Sequence, residues 1–376
     1  MIGAMNVLSS NEDRVCDQRG APLPPEPREY LPFSEGPFAL RLGTRAVAPA
    51  EWIEIDRQYG EQLKLKEALL GESHDEVFAA LDGTEAAGRE VLLLLAEHLA
   101  THFPHWFALT GVSADGVARY GRSHSAMAEP EADDRATDDS AAVRAAAADD
   151  RSTDDRATDD AGRRLTNRLT GRRYDLGDAS MHPLDLAARL VQEDLCLMQW
   201  CGDHYRLRAA SVAFPSRWRL AEKLGATMAD VHAPVAFYDQ QLAGPADRLL
   251  AALPPERILY RFNWNLHDDP ALFQPTGMDR TQIDPSITSA SAGERLWLRV
   301  ERQTLRRLPR SLDVLFTIRT HVRPLSSIAR RPEVAARLAA ALRALPDETY
   351  RYKSLRVFGS AALAWLDAIA RPDAGN

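Results

Sequence analysis

Apolar positions along the chain change their spacing from helical to strand-like and back. In "AEWIEIDRQYGEQLKLKEALL" (50–70) and "TEAAGREVLLLLAEHLATHF" (84–103) they recur every three or four residues, the period of a helix with one buried stripe. "SHDE" at 73–76 has the form of a capping box ahead of "VFAAL", so 28–123 reads as a helical N-terminal part. Pro183 then opens a helix, and "DLCLMQW" and "YRLRAASVAF" read as a hairpin turning at "CGDH". Next come a short helix from Ser216 to a stop at Gly225, a turn capped by Thr227 that contains His232, and a helix in "FYDQQLAGPADRLLAAL" broken near Gly244 and Pro245. "RILYRFNWNLH", "RLWLRVERQTLRRL" and "DVLFTIRTHV" are three further strands, and 326–376 is helical again.

Two strands, several short helices and three strands predict an α+β fold. Its PAS-like five-stranded antiparallel sheet would have the helical middle wrapped over one face to leave a ligand pocket. The expected boundaries are 165–325 for this core and 326–376 for C-terminal helices packing on the main domain, and on the N-terminal helices in particular.

Charge changes the picture in one segment only. Residues 126–160 hold twelve acidic residues against four arginines, which accounts for the net charge of −8 and leaves the rest balanced. Repeats such as "DDRATDD" lack the aromatic and large aliphatic side chains that would offset ordering entropy, so 124–164 reads as a disordered acidic insertion. Residues 1–27, rich in proline and polar groups, read as a loose N-terminal segment. No basic stripe argues for nucleic acid, and the longest aliphatic run, "VLLLLA", is too short for a bilayer. With no export-type leader and three cysteines that make no paired framework, the expected location is cytoplasmic. Three thiols also fall short of the four an iron–sulfur cluster needs.

His232 is the first chemical candidate. A neutral imidazole is a common haem-iron ligand, and a pocket between sheet and helices would place it on the helical wall; alternatively it simply bonds a carbonyl at a helix end. In "RVERQ", Arg299, Glu301 and Gln303 share one strand face, which either lines a pocket, where glutamate holds an ammonium and arginine polarises oxygen, or faces water as a charge ladder. Trp264 either flanks a flat cofactor or belongs to the core. His267 with Asp268 and Asp269, and His98 with His102, are weaker clusters, because adjacent strand residues diverge and no zincin glutamate follows His98. Dinucleotide, P-loop, covalent-haem and serine-elbow motifs are all missing.

The succession "PFALRLGTRAV", "VQEDLCLM", "FPSRWRLAEKLG", "VHAPVAFYD", "RFNWNLHDDPALFQP" and "LRVERQTLRRLPRSLDVLFTIRTHVRPL" resembles the haem-dependent oxidative N-demethylase alpha-subunit-like family, over about 30–122 and 166–370 with no counterpart for the acidic insertion. The resemblance implies a haem b subunit that oxidises a small secondary amine such as dimethylamine with O2. The products would be a primary amine and formaldehyde, with electrons from flavin and iron–sulfur partner subunits. It implies His232 as iron ligand, with His267 and His204 as rivals. Trp264, Arg319 and Tyr238 would contact the cofactor, and Glu301, Arg299 and Gln303 would face the amine and oxygen. Where the family commonly reads "VHAPVPGY", this chain has Ala236 and Phe237, a bulky ring expected beside the site. A non-catalytic haem-binding PAS-type gas or redox sensor is the alternative. A scaffold whose acidic insertion binds a partner is a third.

Overall fold

The computed structural model of the chain describes residues 22–33, 36–111, 162–277 and 280–371; nearly all of the loose N-terminal segment and the acidic insertion lie outside them. The N-terminal part contributes β1 (Arg45–Val47), α1 (Tyr59–Glu72), α2 (His74–Val77), β2 (Phe78–Ala80), α3 (Glu85–His102) and β3 (Phe107–Thr110). Next come β4 (Arg164–Asn167), β5 (Arg172–Asp175), α4 (Pro183–Ala188), β6 (Asp194–Trp200) and β7 (Tyr205–Ser211). The middle holds α5 (Met228–Val231) and α6 (Gly244–Ala252), followed by β8 (Ile258–His267), α7 (Ala292–Arg295), β9 (Trp297–Arg307) and β10 (Val314–Pro324). The chain continues with α8 (Pro332–Arg343), α9 (Asp347–Tyr352) and α10 (Gly359–Ala370).

The architecture is α+β, but the expected five-stranded sheet has seven strands, in the order β1-β8-β9-β10-β6-β7-β2 with antiparallel neighbours throughout. All five strands read from the sequence lie side by side in it. The two additional edges come from the part read as wholly helical, because three-residue strands are too short for a period of two to declare itself. "SHDE" is a single helical turn in which Ser73 makes no side-chain cap, and the following residues leave as β2 to pair with Ala209–Ser211. Strands β3, β4 and β5 form a small second sheet that hydrophobic spacing did not reveal. The expected helix at 216–225 is only a 3-10 turn, Leu220–Glu222, and the break near Gly244 is a π-helical turn over Asp239–Ala243 that runs into α6.

The large sheet is covered on both faces. Leu195, Leu197 and Leu315 point to the back, where they pack with Leu63, Leu92 and Leu184 of α1, α3 and α4. Cys196, Met198 and Leu305 point to the front, beneath Val231 of α5 and Leu249 and Leu250 of α6. The C-terminal helices pack with Phe33, Leu266, Leu298 and Val300 at the β8–β9 end, and not on α1 and α3 as the sequence suggested.

Charge on the back of the sheet is buried and largely paired, although Arg319 Nε and Glu193 Oε2 have no hydrogen-bond partner among the described residues. Arg319, fully buried, donates to Asp56 Oδ2, to Gln62 Oε1 at 2.7 Å and to the Thr320 carbonyl at 2.8 Å. Its cross-strand partner Arg302 donates to the carbonyls of Trp52 and Glu51. Lys66 holds the carbonyls of Ala188, Val191 and Glu193. Removing one member of such a pair strands a charge away from water. Arg319→Met should therefore cost about 3–5 kcal/mol of stability by denaturant unfolding; a loss under about 1 kcal/mol would show the pair to be dispensable.

Candidate functional site

Between the front of the sheet and the α5–α6 layer lies a cavity of about 480 Å³, within the size range of cofactor pockets. Leu207, Leu249, Leu305, Phe316 and Ile318 make much of its wall apolar. Among the described residues its charged lining is one-sided: Arg41, Arg217, Lys223, Arg261 and Lys353 against the single carboxylate of Glu301.

His232 enters from the helical side. A capping box fixes α5: Thr227 Oγ1 accepts from the Asp230 backbone N–H at 3.2 Å, while the Asp230 carboxylate accepts from Thr227. His232 caps the other end of this short helix, its Nδ1 2.9 Å from the Met228 carbonyl oxygen. Facing an acceptor, Nδ1 must carry the proton, so Nε2 keeps its lone pair and meets no partner among the described residues. The ring lies parallel to Tyr238, centroids 4.3 Å apart. Burial pulls the imidazole pKa down to about 4, opposed by the Met228 carbonyl and assisted by Arg261 and Lys223. Burial and Asp247 push the Tyr238 phenol up to about 12. The reading as a helix-end histidine and the reading as a ligand thus meet in one side chain, each using a different ring nitrogen.

The sheet supplies the opposite chemistry. On adjacent strands Arg261 pairs with Gln303, Asn263 with Glu301 and Asn265 with Arg299, a polar ladder on the front face. Gln303 Nε2 donates to Glu301 Oε2 at 2.9 Å and Asn263 Nδ2 to the same oxygen at 3.3 Å. That contact fixes the Gln303 amide and leaves its Oε1 buried without a donor. The Nε of Arg261 is likewise buried with no acceptor, as is Nη1 of Arg217. Desolvation lowers the pKa of Arg261, opposed by Glu301 and Tyr238. At the rim Lys353 donates to the Trp264 carbonyl at 2.6 Å, its Nζ 5.4 Å from the indole centroid.

Of the residues singled out from the sequence, His232, Tyr238, Trp264, Glu301 and Gln303 line this cavity and Arg299, Arg319, His267 and His204 do not. Arg299 shares the front face but spends its guanidinium on the carbonyls of Phe214, Pro215, Ala271 and Leu272. Arg319 points to the back, one residue out of phase with the front-facing Ile318. His267 is neutral, its pKa driven to about 2 by burial and by Arg217 and Arg299, and both ring nitrogens are engaged, by Gln274 on one side and by Ser216 and Asn265 on the other. His204 sits in the exposed β6–β7 turn beside Asp247. Asp268 is held by Arg217 and Arg280, and no group of three or more His, Cys, Asp or Glu gathers to hold a bare metal ion among the described residues. His98 and His102 belong to the back of the sheet, where His98 packs on Trp52. Trp264 lines the cavity and also meets Phe33 edge to face, so it belongs to the core as well. Phe237 is not among the lining residues; Ala236 is. With φ +65° Phe237 occupies the left-handed region that suits the glycine of the family pattern.

The free imidazole nitrogen, the apolar walls, and the unpaired guanidinium N–H groups in a cationic lining fit a large apolar group that has two carboxylates and an open metal position, as haem does. The sequence matches the family model described as haem-dependent oxidative N-demethylase, alpha subunit-like, over residues 43–147 and 152–363. The chain belongs to this family. The match leaves out only residues 148–151 of the acidic stretch, which therefore does have a counterpart in the family pattern, contrary to the expectation for 124–164. An alpha-subunit-like oxidative N-demethylase family implies haem, oxidoreductase chemistry and other subunits. No helix among the described residues is long and apolar enough to cross a membrane.

Arg261 and Lys353 escaped the sequence reading. Arg261 had a signal, the alternation of Arg261, Asn263 and Asn265 along β8; Lys353, arriving from the end of α9, had none. Because the folded state holds the His232 pKa below its unfolded value of about 6.5, it disfavours the proton, and stability falls as pH drops from there toward 4. NMR titration of the haem-free chain should find His232 neutral down to about pH 4. A midpoint near 6.5 would mean an open, solvated ring.

Proposed function

We propose that this chain is the haem b subunit of an oxidative N-demethylase that converts a small secondary amine such as dimethylamine, with O2, to a primary amine and formaldehyde. The observation that carries the reading is the unpartnered Nε2 of a neutral histidine in a cationic, largely apolar cavity. His232 would hold the iron, and the Met228 carbonyl keeps the ring in the required tautomer. Arg217 and Arg261 would take the two carboxylates, and Tyr238 would back the imidazole. The haem, when bound, supplies the one-electron redox chemistry that activates dioxygen.

The chain's own residues do the rest. Glu301 accepts the ammonium through the oxygen left free by Gln303 and Asn263, and takes up the amine proton when the nitrogen must become neutral. The apolar walls exclude water from the reacting carbon. Electrons come from flavin and iron–sulfur partner subunits, since the chain has neither a nucleotide-binding motif nor enough cysteines for such a cluster, and the assembly works in the cytoplasm. The order β7-β6-β10-β9-β8, with the short helices over one face, supports the PAS-like reading of the core.

Visible spectroscopy tests this. The purified chain should take up one haem, and a secondary amine should shift its Soret band; haem uptake without any amine response would favour a gas or redox sensor instead. His232→Ala should lose stoichiometric haem while staying folded, and wild-type haem content in that variant would overturn the ligand assignment. Glu301→Gln should keep haem and weaken amine binding about tenfold or more, as expected when a charge-assisted bond is removed. Unchanged amine affinity would place the substrate elsewhere.

A further inference from the structure

The cavity holds a group that the demethylation itself does not use. Lys353 lines the wall and has one hydrogen-bond acceptor, the Trp264 carbonyl. It forms no ion pair with Glu301, the only carboxylate that lines the cavity among the described residues. Of the other three lysines of the chain, Lys64 is exposed on α1 and Lys66 is saturated by three carbonyls behind the sheet. Lys223 lines the same cavity from the helical side, where it donates to the Val231 carbonyl, and Lys353 lies beside the sheet residue Glu301 that is to serve it.

We infer that Lys353 is a carbonyl-reactive amine that captures the one-carbon aldehyde formed in the cavity, with Glu301 carrying the protons; the identity of the aldehyde rests on the function proposed above. The free Nζ lone pair forms a C–N bond to the carbonyl carbon as the C=O π pair moves to oxygen. The nitrogen then loses a proton and the oxygen gains one, giving a carbinolamine. A second proton lets the hydroxyl leave as water while the nitrogen lone pair closes the C=N bond. No oxidant or reductant is consumed, and hydrolysis returns the aldehyde and the amine. Such capture needs a neutral amine. Burial provides it by drawing the Lys353 pKa down to about 8, against the opposing charge of Glu301 and with the help of Arg261. Captured in this way, the aldehyde is kept from surface nucleophiles until an acceptor or water takes it.

Brief exposure of the full-length chain to limiting, isotopically labelled formaldehyde with cyanoborohydride near pH 7 converts each imine to a stable methylamine that peptide mapping locates. Lys353 should label about tenfold faster than Lys64, the larger neutral fraction being partly offset by lower basicity. Lys353→Arg, which keeps a cation at the Trp264 carbonyl, should lose that label and still take up haem. Equal or faster labelling of Lys64, or no label on Lys353, overturns the inference. Haem uptake measured on the same sample separates the two readings: an unlabelled Lys353 in a haem-binding chain sinks only the capture site, and a labelled Lys353 in a chain that refuses haem supports the reactive amine while sinking the cofactor.

Discussion

One hydrogen bond sets the chemistry of the cavity. By donating Nδ1–H to the Met228 carbonyl, His232 is held in a single tautomer with its other nitrogen's lone pair free. His232 closes the one-turn helix α5, and the Met228 carbonyl that accepts its backbone N–H at 3.3 Å also faces the ring Nδ1, a carbonyl oxygen having two lone pairs. Burial then keeps the ring unprotonated through the neutral range. A bound metal would need both conditions, since a protonated imidazole has no lone pair to give.

The sheet divides its polar residues by face. Behind it, Arg319, Arg302 and Lys66 are matched to carboxylates and carbonyls, so these charges hold the N-terminal segment and α1 against the strands. In front, Arg261 and Arg217 keep donors with no acceptor, and Gln303 keeps an acceptor with no donor. Among the described residues, buried polar atoms without a partner occur on both faces, Arg319 Nε and His321 Nδ1 behind the sheet among them, but those of Arg261, Arg217 and Gln303 belong to residues that line the cavity, where a ligand can complete them.

Much of this was legible in the chain. Period-two alternation located the five central strands, and a titratable residue after a capped turn drew attention to His232. The alternation also separates Arg299, Glu301 and Gln303 from Arg302, but spacing alone cannot say which face carries the cavity. Arg319 looked as suitable as any arginine for a cofactor; only its pairing opposite Arg302 turns it to the back. Arg299 faces the right way and is still consumed by loop carbonyls, a contact made by chain segments more than twenty residues distant that no local pattern encodes. Lys353 reaches the rim because the C-terminal helices dock at the β8–β9 end, which is a tertiary fact.

The most direct test of the central claim removes the proposed ligand without filling its space. In His232→Gly, haem added with free imidazole should give the visible spectrum of the wild-type complex, and without imidazole it should not. A wild-type spectrum in the glycine variant alone, or one that imidazole leaves unchanged, would contradict the account.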